Sequence, residues 1–255
     1  MSVRWIDLEG AHNVRDLGGL PATEGRTRGG VLLRSDALDQ LTAADVERLV
    51  GDVGLAHVVD LRSATERIER GRGPLGGTPV RYTEVEVIGP DDLARRAHAR
   101  AAAFAAGEPP AQVIADGYVE LLELGAPAFA AAFGAIVAPG GTPALVHCAI
   151  GKDRTGVLTA LLLDAAGVER DAIVADYAHT GERMAPIIER WIVNNPSSGM
   201  REQVAAFTAT AAPETIAHVL AVLSERWGGA ADYFVANGQP ASAVDAWRQR
   251  FVDRT

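Results

Sequence analysis

The chain has 255 residues, 48% of them hydrophobic and 22% charged, which suits one large α/β domain with a sizeable buried core. Its formal charge of −9 repels polyanions, so neither nucleic acid nor an anionic membrane is expected as a general partner, and any phosphate must be held by donors gathered locally. The one cysteine, Cys148, excludes an intrachain disulfide and a cysteine-built zinc site, and it suits a reducing compartment.

The first residues, Met1 to Asp7, hold no apolar signal-peptide core, so a cytoplasmic location is expected, with export lacking such a peptide left open. Turn chemistry follows in Asp16-Leu17-Gly18-Gly19-Leu20-Pro21, then a short strand within Gly29–Ser35. Thr42 reads as the N-cap of a helix carrying Val46, Leu49 and Val50. Leu55–Leu61 is an apolar run after a glycine turn, the pattern of a buried parallel strand. A further strand is expected over Val80–Val87. Residues 91–124 read as two helices separated by Gly107-Glu108-Pro109-Pro110. Their arginines (Arg95, Arg96, Arg100) fit a lid over a site and fit an ordinary surface pair nearly as well.

Gly125–Gly151 carries no Asp, Glu, Lys or Arg and by length suggests a membrane span. Pro127 and Pro139-Gly140-Gly141-Thr142-Pro143 break it into helix, loop and strand, so stable membrane insertion is not expected. The helix places Phe129, Ala132, Phe133 and Ile136 on one stripe. Ala144-Leu145-Val146 is then a central strand. Val157, Leu158, Leu161, Leu162 and Ala165 mark an apolar helix ended by Gly167. Helical stretches follow at about 169–179, 182–193, 200–209, 213–226 and 242–252. Strands alternating with helices predict a mainly parallel sheet flanked by helices, with the all-helical part 169–255 packed on it.

The chemistry concentrates between the strand at 144–146 and the helix at 157–165. In open α/β sheets ligands bind beyond the carboxyl ends of strands, and this turn lies there. It also feeds a helix N-terminus, whose backbone N–H groups surround anions. The helix dipole, those N–H groups and the cations Lys152 and Arg154 all favour the thiolate of Cys148, the nucleophilic form. Arg154, six residues on, offers a planar fork for two phosphate oxygens that lysine does not match. The opposing reading of Cys148 is a small buried hydrophobe.

The segment His147-Cys148-Ala149-Ile150-Gly151-Lys152-Asp153-Arg154-Thr155-Gly156 carries the Cys-x5-Arg signature of protein tyrosine phosphatases. It resembles the loop of a bacterial family with both phosphotyrosine and phosphoinositide activity among its members. Gly10–Gly19, Arg34-Ser35-Asp36, Val59–Ser63 and, more weakly, Asp176-Tyr177 are also similar to that family. The resemblance implies a single phosphatase domain over 1–255 with the cysteine-phosphatase fold. It implies Cys148 as nucleophile through a phosphocysteine, with Arg154 and the backbone of Ala149, Ile150, Gly151 and Lys152 holding phosphate. Thr155 is expected to donate toward the sulfur, or to serve only as a first-turn helix residue. His147 is expected to orient Cys148, or to be a satisfied core histidine.

A general acid is required. No Trp-Pro-Asp loop is present, and the resemblance points to Asp153, whose bland alternative is an acid at a helix N-terminus. Asp60 is the second candidate, or else the partner of a nearby arginine; Asp91 and Asp92 are the third. Lys152 suggests multiply phosphorylated or lipid-headgroup substrates, or is an exposed loop lysine. The chemistry needs no cofactor, and no histidine–acid spacing suggests a metal. The partners expected are a phosphorylated protein, a phospholipid or an inositol phosphate. Rival readings are a sulfurtransferase, disfavoured by the Arg154-Thr155-Gly156 ending, and a catalytically silent phosphate-binding module, disfavoured because Cys148 and Arg154 are both present.

Overall fold

Two-residue strands β1 (Arg4–Trp5) and β2 (Arg15–Asp16) open the computed structural model, which describes residues 3–194 and 211–254. A hairpin of β3 (Pro21–Ala22) and β4 (Gly25–Thr27) follows, then β5 (Leu32–Ser35), β6 (His57–Asp60), β7 (Arg81–Glu84), β8 (Ala144–His147) and a terminal β9 (Val252–Arg254). The helices are α1 (Ala43–Glu47), α2 (Ala64–Arg70), α3 (Pro90–Ala105), α4 (Pro110–Leu124), α5 (Ala126–Val137), α6 (Asp153–Ala165), α7 (Arg170–His179) and α8 (Met184–Asn194). Beyond residue 210 come α9 (Pro213–Trp227), α10 (Ala230–Ala236) and α11 (Ala241–Phe251).

The main sheet runs β1-β2-β5-β8-β6-β7, parallel from β5 to β7 and antiparallel at β1 and β2; β3, β4 and β9 form a separate small sheet. Every residue of strands β5, β6 and β8 is buried because both faces of the sheet are covered, with apolar pairs inside each strand and polar residues toward the carboxyl ends. Their side chains alternate between two cores. Leu32, Val59 and Val146 enter the larger one, while Leu33, Val58 and Leu145 enter the smaller one beside α1.

The larger core takes the apolar faces of α4 to α7 and also of α9 to α11. Phe133 of α5 stacks on Phe234 of α10 with ring centroids 4.1 Å apart, and the Trp247 indole N–H donates to the Leu162 carbonyl at 2.8 Å. The helices after residue 210 therefore share the sheet's own core, but the part expected to be all-helical ends in strand β9, drawn into pairing with β4.

Several boundaries differ from expectation. The strand expected over 80–87 covers only Arg81–Glu84; the Val85 N–H still donates to the Asp60 carbonyl at 2.9 Å, and Val85 and Val87 pack into the larger core. The helix capped by Thr42 forms with a full capping box but widens to a π-turn over Arg48–Asp52. The helical stretch expected at 200–209 lies outside the described residues. Among those residues no single helix is long and apolar enough to cross a membrane; α4 and α5 reach the length only together, across a 73° bend.

Candidate active site

The carboxyl ends of the parallel strands lie level, since Ser35, His147 and Asp60 are lateral partners on β5, β8 and β6. The chain leaves β8 at Cys148, turns through Ala149 to Lys152 and enters α6 at Asp153. Gly151 makes the turn feasible. Its φ is +75°, and a Cβ there would lie 2.4 Å from the Ser35 carbonyl oxygen.

Neighbouring segments fix the loop from outside. The Leu61 N–H donates to the His147 carbonyl at 2.9 Å and the Ala37 N–H to that of Ala149 at 3.2 Å. The Gly151 carbonyl accepts from Arg34 Nη2 at 2.8 Å and from Asn13 Nδ2 at 3.1 Å. The Gly151 N–H points the other way and meets Cys148 Sγ at 3.3 Å. Carbonyls out and N–H in is the polarity an anion site requires.

A second ring of residues holds the first. Asp176 accepts from Arg15 Nε at 2.8 Å and from Arg34 Nη1 at 2.6 Å, all three side chains being buried. Arg15 also donates to Asn13 Oδ1 and, at 3.0 Å, to Thr180 Oγ1. Asp36 accepts the backbone N–H groups of His12 and Asn13 at 2.9 Å each and is paired by Arg190 from α8.

Arg154 is gripped by a residue the sequence reading passed over. Glu66 takes Nη1 at 2.6 Å and Nη2 at 2.9 Å, and the Leu61 carbonyl takes Nη1 at 3.2 Å. Among the described residues this leaves Nε–H and the second Nη2–H as a fork for phosphate. Burial would raise the Glu66 carboxyl, but Arg154 and the Ser63 amide hold it down to about 2, and burial of Arg154 is outweighed by Glu66 and Cys148, which raise its pKa. The signal for Glu66 was present, since Ser63-x-x-Glu66 is a capping-box spacing and forms one at the start of α2.

The acid candidates separate clearly. Asp153 Oδ1 lies 3.3 Å from Lys152 Nζ and accepts from the Tyr118 hydroxyl at 2.8 Å, and Tyr118 in turn meets the Tyr177 hydroxyl at 2.9 Å. Burial favours the neutral acid at Asp153, but Lys152, Arg100 and Tyr118 outweigh it and lower the carboxyl to about 2. Lys152 is fully buried, not an exposed loop lysine; burial works against its charge and Asp153 more than restores it.

Asp60 lies beneath the loop, fully buried and bound by Arg62 through Nε at 2.9 Å and Nη2 at 2.6 Å. Against the push of burial, His147 and Arg62 depress it to about 2. Asp91 and Asp92 are exposed in the first turn of α3, and Asp92 pairs with Arg95.

His147 Nδ1 sits 3.1 Å from the Cys148 carbonyl, with Nε2 3.7 Å from Asp60, and burial lowers its pKa despite that carboxylate. The Thr155 hydroxyl is buried and has no hydrogen-bond partner among the described residues. Arg96 is buried and pairs with Glu120, fastening α3 to α4.

The model of the tyrosine phosphatase family matches residues 6–253, nearly the whole chain. The protein belongs to the tyrosine phosphatase family. Within it, the chain is 30% identical to the triple specificity protein phosphatase PtpB of Mycobacterium tuberculosis, over 94% of this chain and 88% of that protein. A putative tyrosine-protein phosphatase of Cupriavidus necator is 36% identical over 68% of this chain and 62% of that one. A tyrosine-protein phosphatase of Nostoc commune is 31% identical over 57% of this chain and 47% of its own length.

Among solved structures, the core catalytic domain of the PP-IP phosphatase SIW14 from S. cerevisiae overlaps loosely, with a TM-score of 0.38 and 14% identity over 78% of this chain and 94% of that one. Membership makes the protein a phosphatase, with a phosphate-bearing substrate. The segments 10–19, 34–36 and 176–177, which resembled the family without an evident task, meet in this structure around the Gly151 carbonyl and the buried Asp176.

Proposed function

We propose that the protein hydrolyses phosphotyrosine and related phosphomonoesters through a phosphocysteine on Cys148. The observation that carries this is Arg154, locked by Glu66 with a fork of N–H groups left over, above a loop whose Gly151 N–H meets Cys148 Sγ. In the first step Sγ forms a bond to phosphorus as the bond to the leaving oxygen breaks, and that oxygen takes a proton from Asp153. In the second, water attacks phosphorus, the S–P bond breaks to restore the thiolate, and the water's proton returns to Asp153. Arg154 and the loop amides meet the charge on the phosphoryl oxygens, and Thr155 donates to the departing sulfur.

Asp153 is a carboxylate in the free protein at neutral pH, so it takes up its proton from solvent as substrate binds. A phosphate dianion brought beside it raises its pKa and competes for Lys152. Asp60, held by Arg62 and placed under His147, serves to support the loop.

A second reading, hydrolysis of phosphoinositides or inositol phosphates at the same loop, is favoured by Lys152 and Arg100. Both act electrostatically on Asp153 beside the loop, where a further phosphate group would meet them. A panel of phosphopeptides and phosphoinositides separates the two.

The test of the mechanism is vanadate-sensitive hydrolysis of p-nitrophenyl phosphate and phenyl phosphate. Cys148→Ser should abolish it, and Asp153→Asn should slow phenyl phosphate by about 10²-fold or more. Full activity in Cys148→Ser would falsify the nucleophile. A rate lost in Asp60→Asn and kept in Asp153→Asn would move the acid to Asp60.

A further inference from the structure

Tyr118 belongs to α4, remote in sequence from the catalytic loop, yet its hydroxyl ends 2.8 Å from Asp153 Oδ1. The residue is 1% exposed, and its ring stands edge-on to that of Tyr177 on α7, with centroids 6.1 Å apart and planes at 85°. Packing thus gives the ring one orientation.

The direction of the hydrogen bonds follows from charge. An ionised carboxylate only accepts, so Tyr118 donates to Asp153. The Tyr118 oxygen is then left to accept from Tyr177, 2.9 Å away, which fixes the order Tyr177 to Tyr118 to Asp153. Burial and the neighbouring Asp153 hold Tyr118 well above the usual phenol range, so it keeps its proton and remains a donor throughout the working pH range. Lys152 Nζ approaches the same oxygen, Oδ1, at 3.3 Å. With Tyr118 donating to Oδ1 and the Lys152 ammonium beside the same oxygen, the acidic hydrogen of protonated Asp153 goes to Oδ2.

We propose that Tyr118, backed by Tyr177, is the positioning residue of the general acid: it binds Asp153 Oδ1 and so presents the proton on Oδ2 to the leaving oxygen. This rests on Asp153 being the acid. It also gives the α3–α4 pair a role in the chemistry, because Tyr118 reaches the acid from α4.

The experiment compares two substrates. The leaving group of p-nitrophenyl phosphate departs readily without a proton, whereas that of phenyl phosphate needs one. Tyr118→Phe keeps the ring and removes only the hydroxyl. It should lower kcat on phenyl phosphate about tenfold, the scale of one hydrogen bond to a charged group, with little change on p-nitrophenyl phosphate or in KM. Losing a bond that favours the carboxylate raises the acid's pKa, so the basic limb of the kcat profile should move to higher pH.

In an Asp153→Asn background Tyr118→Phe should add nothing. Tyr177→Phe, which frees the Tyr118 hydroxyl to turn, should show the same selectivity more weakly, and it supplies the measurement if Tyr118→Phe folds poorly. Equal losses on both substrates with no movement of the basic limb, or no loss at all, would overturn the inference. If Asp153→Asn is selective for phenyl phosphate and the tyrosine variants are not, Tyr118 alone is misassigned. If Asp153→Asn is not selective either, the acid assignment is at fault.

Discussion

The carboxylate of Glu66 closes a helix and holds Arg154, the arginine proposed to bind phosphate. Its Oε2 accepts the Ser63 N–H at 2.7 Å, completing the cap of α2, while both oxygens grip Arg154. Glutamine also serves in a capping box, so Glu66→Gln separates the two tasks. The helix should remain and the charge-assisted grip should weaken. The expected result is a rate reduced roughly tenfold to a hundredfold, the worth of one such bond, with α2 still folded and the melting temperature lower by about 4–8 °C for the lost carboxylate. An unchanged rate would show that Arg154 needs no clamp. The sequence announces the cap through the Ser-x-x-Glu spacing, but the second task depends on a contact 88 residues away in the chain, which no local pattern encodes. Cys148 and Arg154 were legible for the opposite reason, since loop, strand and helix place them by sequence proximity alone.

At the scale of elements, Asp176 ties α7 to both β2 and β5. It faces two arginines, Arg15 and Arg34, and Arg34 passes the restraint to the Gly151 carbonyl of the catalytic loop. Removing one charge from a buried cluster leaves its partners uncompensated. Asp176→Asn should therefore cost about 3 kcal/mol or more of unfolding free energy by denaturant titration and should also loosen the loop. A loss below about 1 kcal/mol would mean that the two arginines find other partners, since that is the ordinary scale of a single mutation.

The elements themselves were unevenly legible. Strands β5, β6 and β8 are covered on both faces and were legible from the apolar pairs Leu32-Leu33, Val58-Val59 and Leu145-Val146 at their centres or starts, and α6 from its apolar residues, buried nearly all round. Strands β1 to β4 have two or three residues each, too few to show any period, and exist only through their pairing partners. Helix α10 spans seven residues, and its burial comes from Phe133 and the other neighbours it meets after folding.

For the molecule as a whole, the buried acids gather at one end of the sheet and set its response to pH. Asp60, Glu66 and Asp153 are each held near 2 in the folded chain, and Asp176 is lowered as well. In every case the folded value lies below the unfolded one. Their stabilisation is therefore complete above the unfolded values of about 4 and is lost as pH falls below them, with about 2 kcal/mol at stake for each of Asp60, Glu66 and Asp153. The melting temperature should begin to decline below about pH 6.5, where His57 and His147, whose pKa values burial lowers, take up protons more readily in the unfolded chain, and should drop steeply below about pH 4.

General charge repulsion among the 24 basic residues also grows in acid, and a variant distinguishes the two causes. Asp60→Asn removes one titrating group while leaving the positive charge of Arg62 in place. It should be less stable than the wild type at pH 7, yet lose less on going from pH 5 to pH 3, so that the two melting curves converge in acid. Parallel curves would assign acid unfolding to net charge instead of to the carboxylates that frame the catalytic loop.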